Sequence, residues 1–133
     1  MAYMDDMFGN RIQLYSESGY LLRISEDGDV YGTQDMSDIY TKLELSSGDI
    51  VGSVKIRGIQ SNRFLCIGVY GQVWGDTNRE NTGTTFLENF AGSYNTYESR
   101  NYQGYFIGLT DQGLPILNPV EHINSTVKFL PMR

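Results

Sequence analysis

Cysteine is nearly absent from this sequence: Cys66 stands alone, so no intramolecular disulfide can form. Stability must then come from packing and hydrogen bonds. Histidine also occurs once, as His122, and Cys66 lies in an apolar run. That leaves no set of nucleophile, base and orienting group, and no enzymatic activity is expected. No CxxC pair, HExxH helix or GxxxxGK[ST] loop is present, so zinc sites and phosphate cradles of those kinds have no support and no cofactor is expected. No apolar run approaches the roughly 18 residues of a membrane span, and membrane insertion is not expected. Residues 1–10 carry two acids and no base, unlike the basic start of a secretory signal. Bases are also few, ten against sixteen acids, and the net charge of −6 repels polyanions, which argues against nucleic acid as a partner.

What is present suffices for one compact core. The 133 residues fall in the usual size range of a domain, and 40% hydrophobic with 20% charged residues is the composition of a globular chain. Three segments share one pattern: residues 21–28 (LLRISEDG), 64–71 (FLCIGVYG) and 106–113 (FIGLTDQG). Each reads apolar, apolar, any, apolar, three loop residues, glycine, and the glycines Gly28, Gly71 and Gly113 step by 43 and then 42 positions. A glycine at the loop end takes positive φ, so each segment predicts a hairpin, with Val30 or Val73 resuming the chain. Leu43 and Leu45, Val54 and Ile56 flanked by Lys55 and Arg57, Phe86, and Val127 and Phe129 around Lys128 alternate at period 2 and predict half-buried strands. No segment keeps helical spacing for three turns. A period near 42 that recurs only three times predicts an all-β fold, a β-trefoil of about twelve strands in three pseudo-repeats. Residues 11–133 are expected to form a single β-trefoil domain after an N-terminal tail over 1–10.

Several stretches, in order, carry a family likeness. They are Leu22-Arg23-Ile24 with Asp27-Gly28-Asp29-Val30-Tyr31-Gly32, Ser37-Asp38, and Lys42-Leu43-Glu44-Leu45. Val54-Lys55-Ile56-Arg57-Gly58-Ile59 follows, running on to Asn62-Arg63-Phe64-Leu65. Tyr94-Asn95-Thr96-Tyr97-Glu98-Ser99-Arg100 and the closing Phe129-Leu130-Pro131-Met132 complete the set. Across residues 15–132 the chain resembles the fibroblast growth factors, whose signature has a cysteine where this chain has Thr84, and asparagine where it has Ser93. The resemblance implies a secreted, extracellular mitogen that binds a fibroblast growth factor receptor ectodomain, a receptor tyrosine kinase, and promotes signalling. A monomer is expected.

The resemblance places Tyr15, Tyr94, Asn95, Leu130 and Met132 on the receptor-binding surface and makes Glu88 the partner of a receptor base. Strand parity gives an independent expectation: with Val127 and Phe129 inward, Lys128 and Leu130 point out. With Tyr97 buried, Asn95 shares its face while Tyr94 and Thr96 face solvent.

Heparan-binding members of the family place bases in the last lobe, yet residues 109–127 hold no lysine or arginine, while Asp111 and Glu121 are acidic. Affinity for polyanions comes from neutralised charges and released counterions. Heparin binding is therefore expected to be weak or absent, with Asn118, Asn124 and Lys128 as the remaining candidate contacts. The chain stops at Arg133, and a co-receptor that grips a long C-terminal tail is not expected. Asn124-Ser125-Thr126 is a glycosylation sequon, although an unmodified polar loop is the plainer reading. Glu26, Asp27 and Asp29 lack the spacing of a calcium loop and read as solvated turn acids. Two other functions remain open on the same fold. Gln72-Val73-Trp74 matches the short QxW element of β-trefoil lectins, a carbohydrate-binding reading. The intracellular fibroblast growth factor-homologous proteins, which bind cytosolic targets, offer the other.

Overall fold

The computed structural model describes residues 10–133, and the tail expected over 1–10 lies, apart from Asn10, outside the described residues. Period-2 alternation becomes strand from the start: in β1 (Arg11–Ser16) Ile12 and Leu14 are buried while Arg11 and Tyr15 are exposed. The other strands are β2 (Leu21–Ile24), β3 (Val30–Thr33), β4 (Leu43–Ser47), β5 (Ser53–Gly58), β6 (Arg63–Ile67), β7 (Val73–Asp76), β8 (Phe86–Ala91), β9 (Tyr94–Ser99) and β10 (Phe129–Met132). No α-helix occurs among the described residues.

Strand pairing closes a ring. In sequence around the barrel, β1 pairs with β10, β10 with β9, β9 with β8, β8 with β5, β5 with β4, and β4 returns to β1. A closed ring has no free edge among its members. Hairpin β2–β3 hangs from β1 and hairpin β6–β7 from β5, while the third hairpin joins β9 through a bridge between Glu98 and Phe106. This is the β-trefoil: six barrel strands and three hairpins in three lobes.

The threefold spacing is visible in the core. Leu14, Ile56 and Tyr97 occupy matching places on β1, β5 and β9, and all three are fully buried. Leu22, Leu65 and Ile107, then Ile24, Ile67 and Leu109, repeat this in the hairpins. Each such side chain removed from water contributes about 1.5–3 kcal/mol before entropy is counted. The hairpin tips also interlock: Gly75 donates its N–H to the Gly28 carbonyl at 2.7 Å, and Gly32 donates to Gly113 at 2.7 Å. At Gly28 φ is +93°, and an added Cβ would lie 2.8 Å from the Gly75 oxygen, so both backbone sign and space demand glycine.

Four expectations are corrected. Among the described residues there are ten strands, where twelve were expected. The third hairpin makes isolated bridges, Glu98 with Phe106 and Leu109 with Pro115, because Pro115 has no N–H to give a ladder. Val127 is not in a strand but ends a 3₁₀ turn, Ser125–Val127, the third of a set with Ile39–Thr41 and Thr82–Thr84. Each turn is capped by an Asp or Asn side chain, Asp38, Asn81 or Asn124, that accepts the N–H two residues on. Lys55, expected on a solvent face, is 2% exposed. Its Nζ donates to the Arg79 carbonyl at 3.1 Å, Thr84 Oγ1 at 2.7 Å and Thr85 Oγ1 at 3.0 Å. Parity did turn Lys55 out of the barrel, but the segment running to Thr85 crosses that face and covers it. Thr96 likewise is 4% exposed rather than solvent-facing: β9 lies between β8 and β10, and a short side chain there does not rise above its neighbours.

Candidate functional site

Register brings distant residues into one row. β1 and β10 set Tyr15 opposite Leu130 and Gln13 opposite Met132. β10 and β9 set Phe129 opposite Asn95, so the next antiparallel step puts Leu130 alongside Tyr94. Cross-strand neighbours share a face with Cβ atoms about 5 Å apart. Tyr15, Leu130 and Tyr94 therefore form a row over three adjoining strands, and Met132, two residues beyond Leu130, lies on the same face. Tyr15 and Leu130 are exposed, whereas Tyr94, expected as an exposed aromatic, is half-buried like Met132. A partly seated ring is held in place yet presents an edge to solvent.

Glu88 and Asn95 belong to a different group. Glu88 pairs with Tyr97 and Asn95 with Phe90, which gives all four the inward parity of the barrel. The Glu88 Oε2 accepts the Tyr97 hydroxyl at 2.8 Å and the Asn95 amide at 3.3 Å, so the carboxylate is aimed by the core beneath it. Beyond it the β8–β9 hairpin outruns the barrel, and Phe90, although inward by parity, is 85% exposed. Phe90, Ile50, Val51 and Glu88 line an open groove of about 520 Å³. The sequence reading missed Ile50, Val51 and Phe90. The available signal was an apolar pair inside the turn SSGDIVGS, where no core is within reach.

Cys66 is fully buried, and burial pushes its thiol up to about 12, which keeps it protonated and inert near neutral pH. No group of His, Cys, Asp and Glu able to hold a metal ion occurs among the described residues. Trp74 lies on β7, and its indole N–H donates to Asp76 at 3.1 Å.

The profile of the fibroblast growth factor family matches residues 10–130. The chain belongs to the fibroblast growth factor family. It is 31% identical to fibroblast growth factor 2 of Bos taurus over 133 residues, 98% of this chain and 85% of that protein. The same figures hold for fibroblast growth factor 2 of Ovis aries. With fibroblast growth factor 2 of Xenopus laevis it is 35% identical over 102 residues, 76% of this chain and just under two thirds, 65%, of the relative's length. As a member of this growth factor family it is not an enzyme.

In this fibroblast growth factor the last-lobe segment is built for the fold. Asn118 accepts the Phe106 N–H at 2.7 Å through Oδ1 and donates to the Phe106 carbonyl at 3.0 Å through Nδ2. Its amide thereby stands in for a paired strand. The Asn124 Oδ1 accepts from the Thr126 N–H at 2.9 Å and its Nδ2 donates to the His122 carbonyl at 3.1 Å, which makes the sequon asparagine a turn cap. Lys128, half-buried, is the one cation among the three candidates for sugar contact.

Proposed function

We propose that this growth factor is a secreted, monomeric ligand that docks on the ectodomain of a fibroblast growth factor receptor and signals through its tyrosine kinase with little or no help from heparan sulfate. The observation that carries the reading is the row of Tyr15, Leu130 and Tyr94 on adjoining strands, continued by Met132. Aromatic anchors seated in a strand face are the usual carriers of interface energy. Glu88, held by Tyr97 and Asn95, supplies a pre-oriented carboxylate for a receptor base, and exposed Phe90 and Val51 extend that second contact. Pre-orientation lowers the ordering cost of binding.

Weak sugar binding follows from charge. Two of the three candidate contacts, Asn118 and Asn124, already bond the chain's own backbone, and no base lies between 109 and 127. The protein is expected to flow through a heparin column at physiological salt, and retention there would contradict this part of the reading.

Surface plasmon resonance against a panel of fibroblast growth factor receptor ectodomains, without heparin, tests the main proposal. Tyr94→Ala is expected to weaken binding by about 2 kcal/mol, or roughly 30-fold. Equal affinity of wild type and variant for every receptor that binds would remove the row from the interface.

A further inference from the structure

A groove of about 430 Å³ opens beside β1 and β4, next to the Met132 end of the Tyr15–Tyr94 row. Ile39, Ile59 and Met132 give it apolar walls, and Arg11, Lys42 and Gln60 give it polar ones. Ile39 is 52% exposed, a large aliphatic side chain with nothing laid over it among the described residues. Charge distribution is the unusual feature: the chain has sixteen acids and ten bases, yet three bases and no acid line this groove.

Arg11 on β1 and Lys42, just ahead of β4, make no ion pair among the described residues. Glu44 lies opposite Arg11 in register, but its carboxylate is bonded to Arg57 at 3.1 Å. Among the described residues the Lys42 Nζ reaches the Met36 carbonyl, at 3.5 Å, and no carboxylate. Both side chains are exposed, so each keeps its charge at low desolvation cost and projects a positive field over apolar walls. A sulfated sugar satisfies the charge but not the walls. A small apolar acid satisfies both, but an open groove does not enclose it as small-molecule sites enclose their ligands.

We propose that this groove binds an acidic peptide segment of a protein partner, in which one or two carboxylates face Arg11 and Lys42 and an adjoining aliphatic or aromatic side chain packs on Ile39, Ile59 and Met132. The Gln60 amide offers a donor and an acceptor to the peptide backbone. The inference does not need the receptor reading. Met132 adjoins both surfaces, so the test leaves it unchanged.

The probe is fluorescein-labelled Asp-Asp-Leu-Phe-Gly amide, titrated with the full chain and read by anisotropy, with amide shifts from NMR to locate it. Shifts clustered at residues 11–13, 39–43 and 59–60 are expected. The double variant Arg11→Glu with Lys42→Glu is expected to weaken binding about tenfold or more, and raising salt from about 0.05 to 0.5 M to weaken the wild type several-fold. Ile39→Ser, which leaves the charges, is expected to weaken it at least threefold. A circular dichroism melt of each variant checks that it folds, and receptor affinity unchanged in the double variant keeps this result apart from the proposed function. Binding absent at about 5 mM peptide, equal binding of Lys-Lys-Leu-Phe-Gly amide, or shifts centred elsewhere would overturn the proposal. So would sedimentation showing a dimer that the double variant dissolves, since the occupant would then be a second copy of the chain.

Discussion

Tyr97→Ala is expected to lower the free energy of unfolding by about 3–5 kcal/mol, the usual cost of truncating a fully buried aromatic. Tyr97 has no exposed surface, sits in the barrel layer of Leu14 and Ile56, and packs its ring 6.3 Å from that of Phe129. A closed barrel cannot collapse easily around the void, because moving one strand inward disturbs two ladders at once. Against a typical total of about 5–15 kcal/mol, the variant should be marginal or unfolded at physiological temperature. Urea denaturation of wild type and variant, with the slope compared as well as the midpoint, measures the loss. A loss below about 1 kcal/mol would mean the side chain is not the core member described. Tyr97→Phe separates packing from function: it keeps the ring and removes the hydroxyl that bonds Glu88 at 2.8 Å, so about 1 kcal/mol of stability should go, together with part of the receptor affinity.

Raising the pH from 9 to 12 is expected to destabilise the protein through Cys66. Burial, with the Asp76 carboxylate as a second cause, pushes the thiol from 9.0 to about 12. In that window the unfolded chain has lost its thiol proton and the folded chain has kept it. The folded state then binds more protons, so stability is fully present below pH 9 and declines by about 1.4 kcal/mol per pH unit above it. Lys55 acts in the opposite sense, since burial lowers its proton affinity and its contribution rises with pH up to 10.5. The difference between wild type and Cys66→Ala isolates the thiol: the gap between their unfolding free energies should shrink as pH rises from 8 to 11. A gap independent of pH would rule out the linkage. Below pH 9 the folded protein should also be slow to react with a disulfide reagent and should react at once in denaturant.

The parts of the fold that could be read from the sequence share a physical character. Turn glycines at 28, 71 and 113 are demanded by local backbone sign, which φ values of +93°, +81° and +79° express. The matched core positions need only spacing and hydrophobicity. The outward side of Leu130 was accessible through parity because it lies on a barrel strand, where a one-residue slip would expose the core, whereas Tyr15 came from the family resemblance. Parity stopped short at Lys55 and Thr96. It fixes which side of a strand a residue takes, while the cover over that side comes from chain far away, from Arg79 and Thr85 in the case of Lys55. Asn118 and Asn124, the candidate sugar contacts, have backbone partners that no local pattern announces. Asn118 places its amide on the Phe106 backbone groups that the short third hairpin leaves without a ladder, and Asn124 caps the 3₁₀ turn Ser125–Val127.

The amino-acid sequence by itself determined the family, the three-lobed all-β plan and the shortage of bases in the last lobe, because each is written in spacing or in composition. Only the tertiary structure decided that the predicted contact residues divide into an outer row and a cluster at the barrel's end, that a lysine is buried among threonines, and that a basic groove opens in an acidic chain. Those outcomes depend on which remote segments closure of the barrel lays against one another, and no local pattern encodes that.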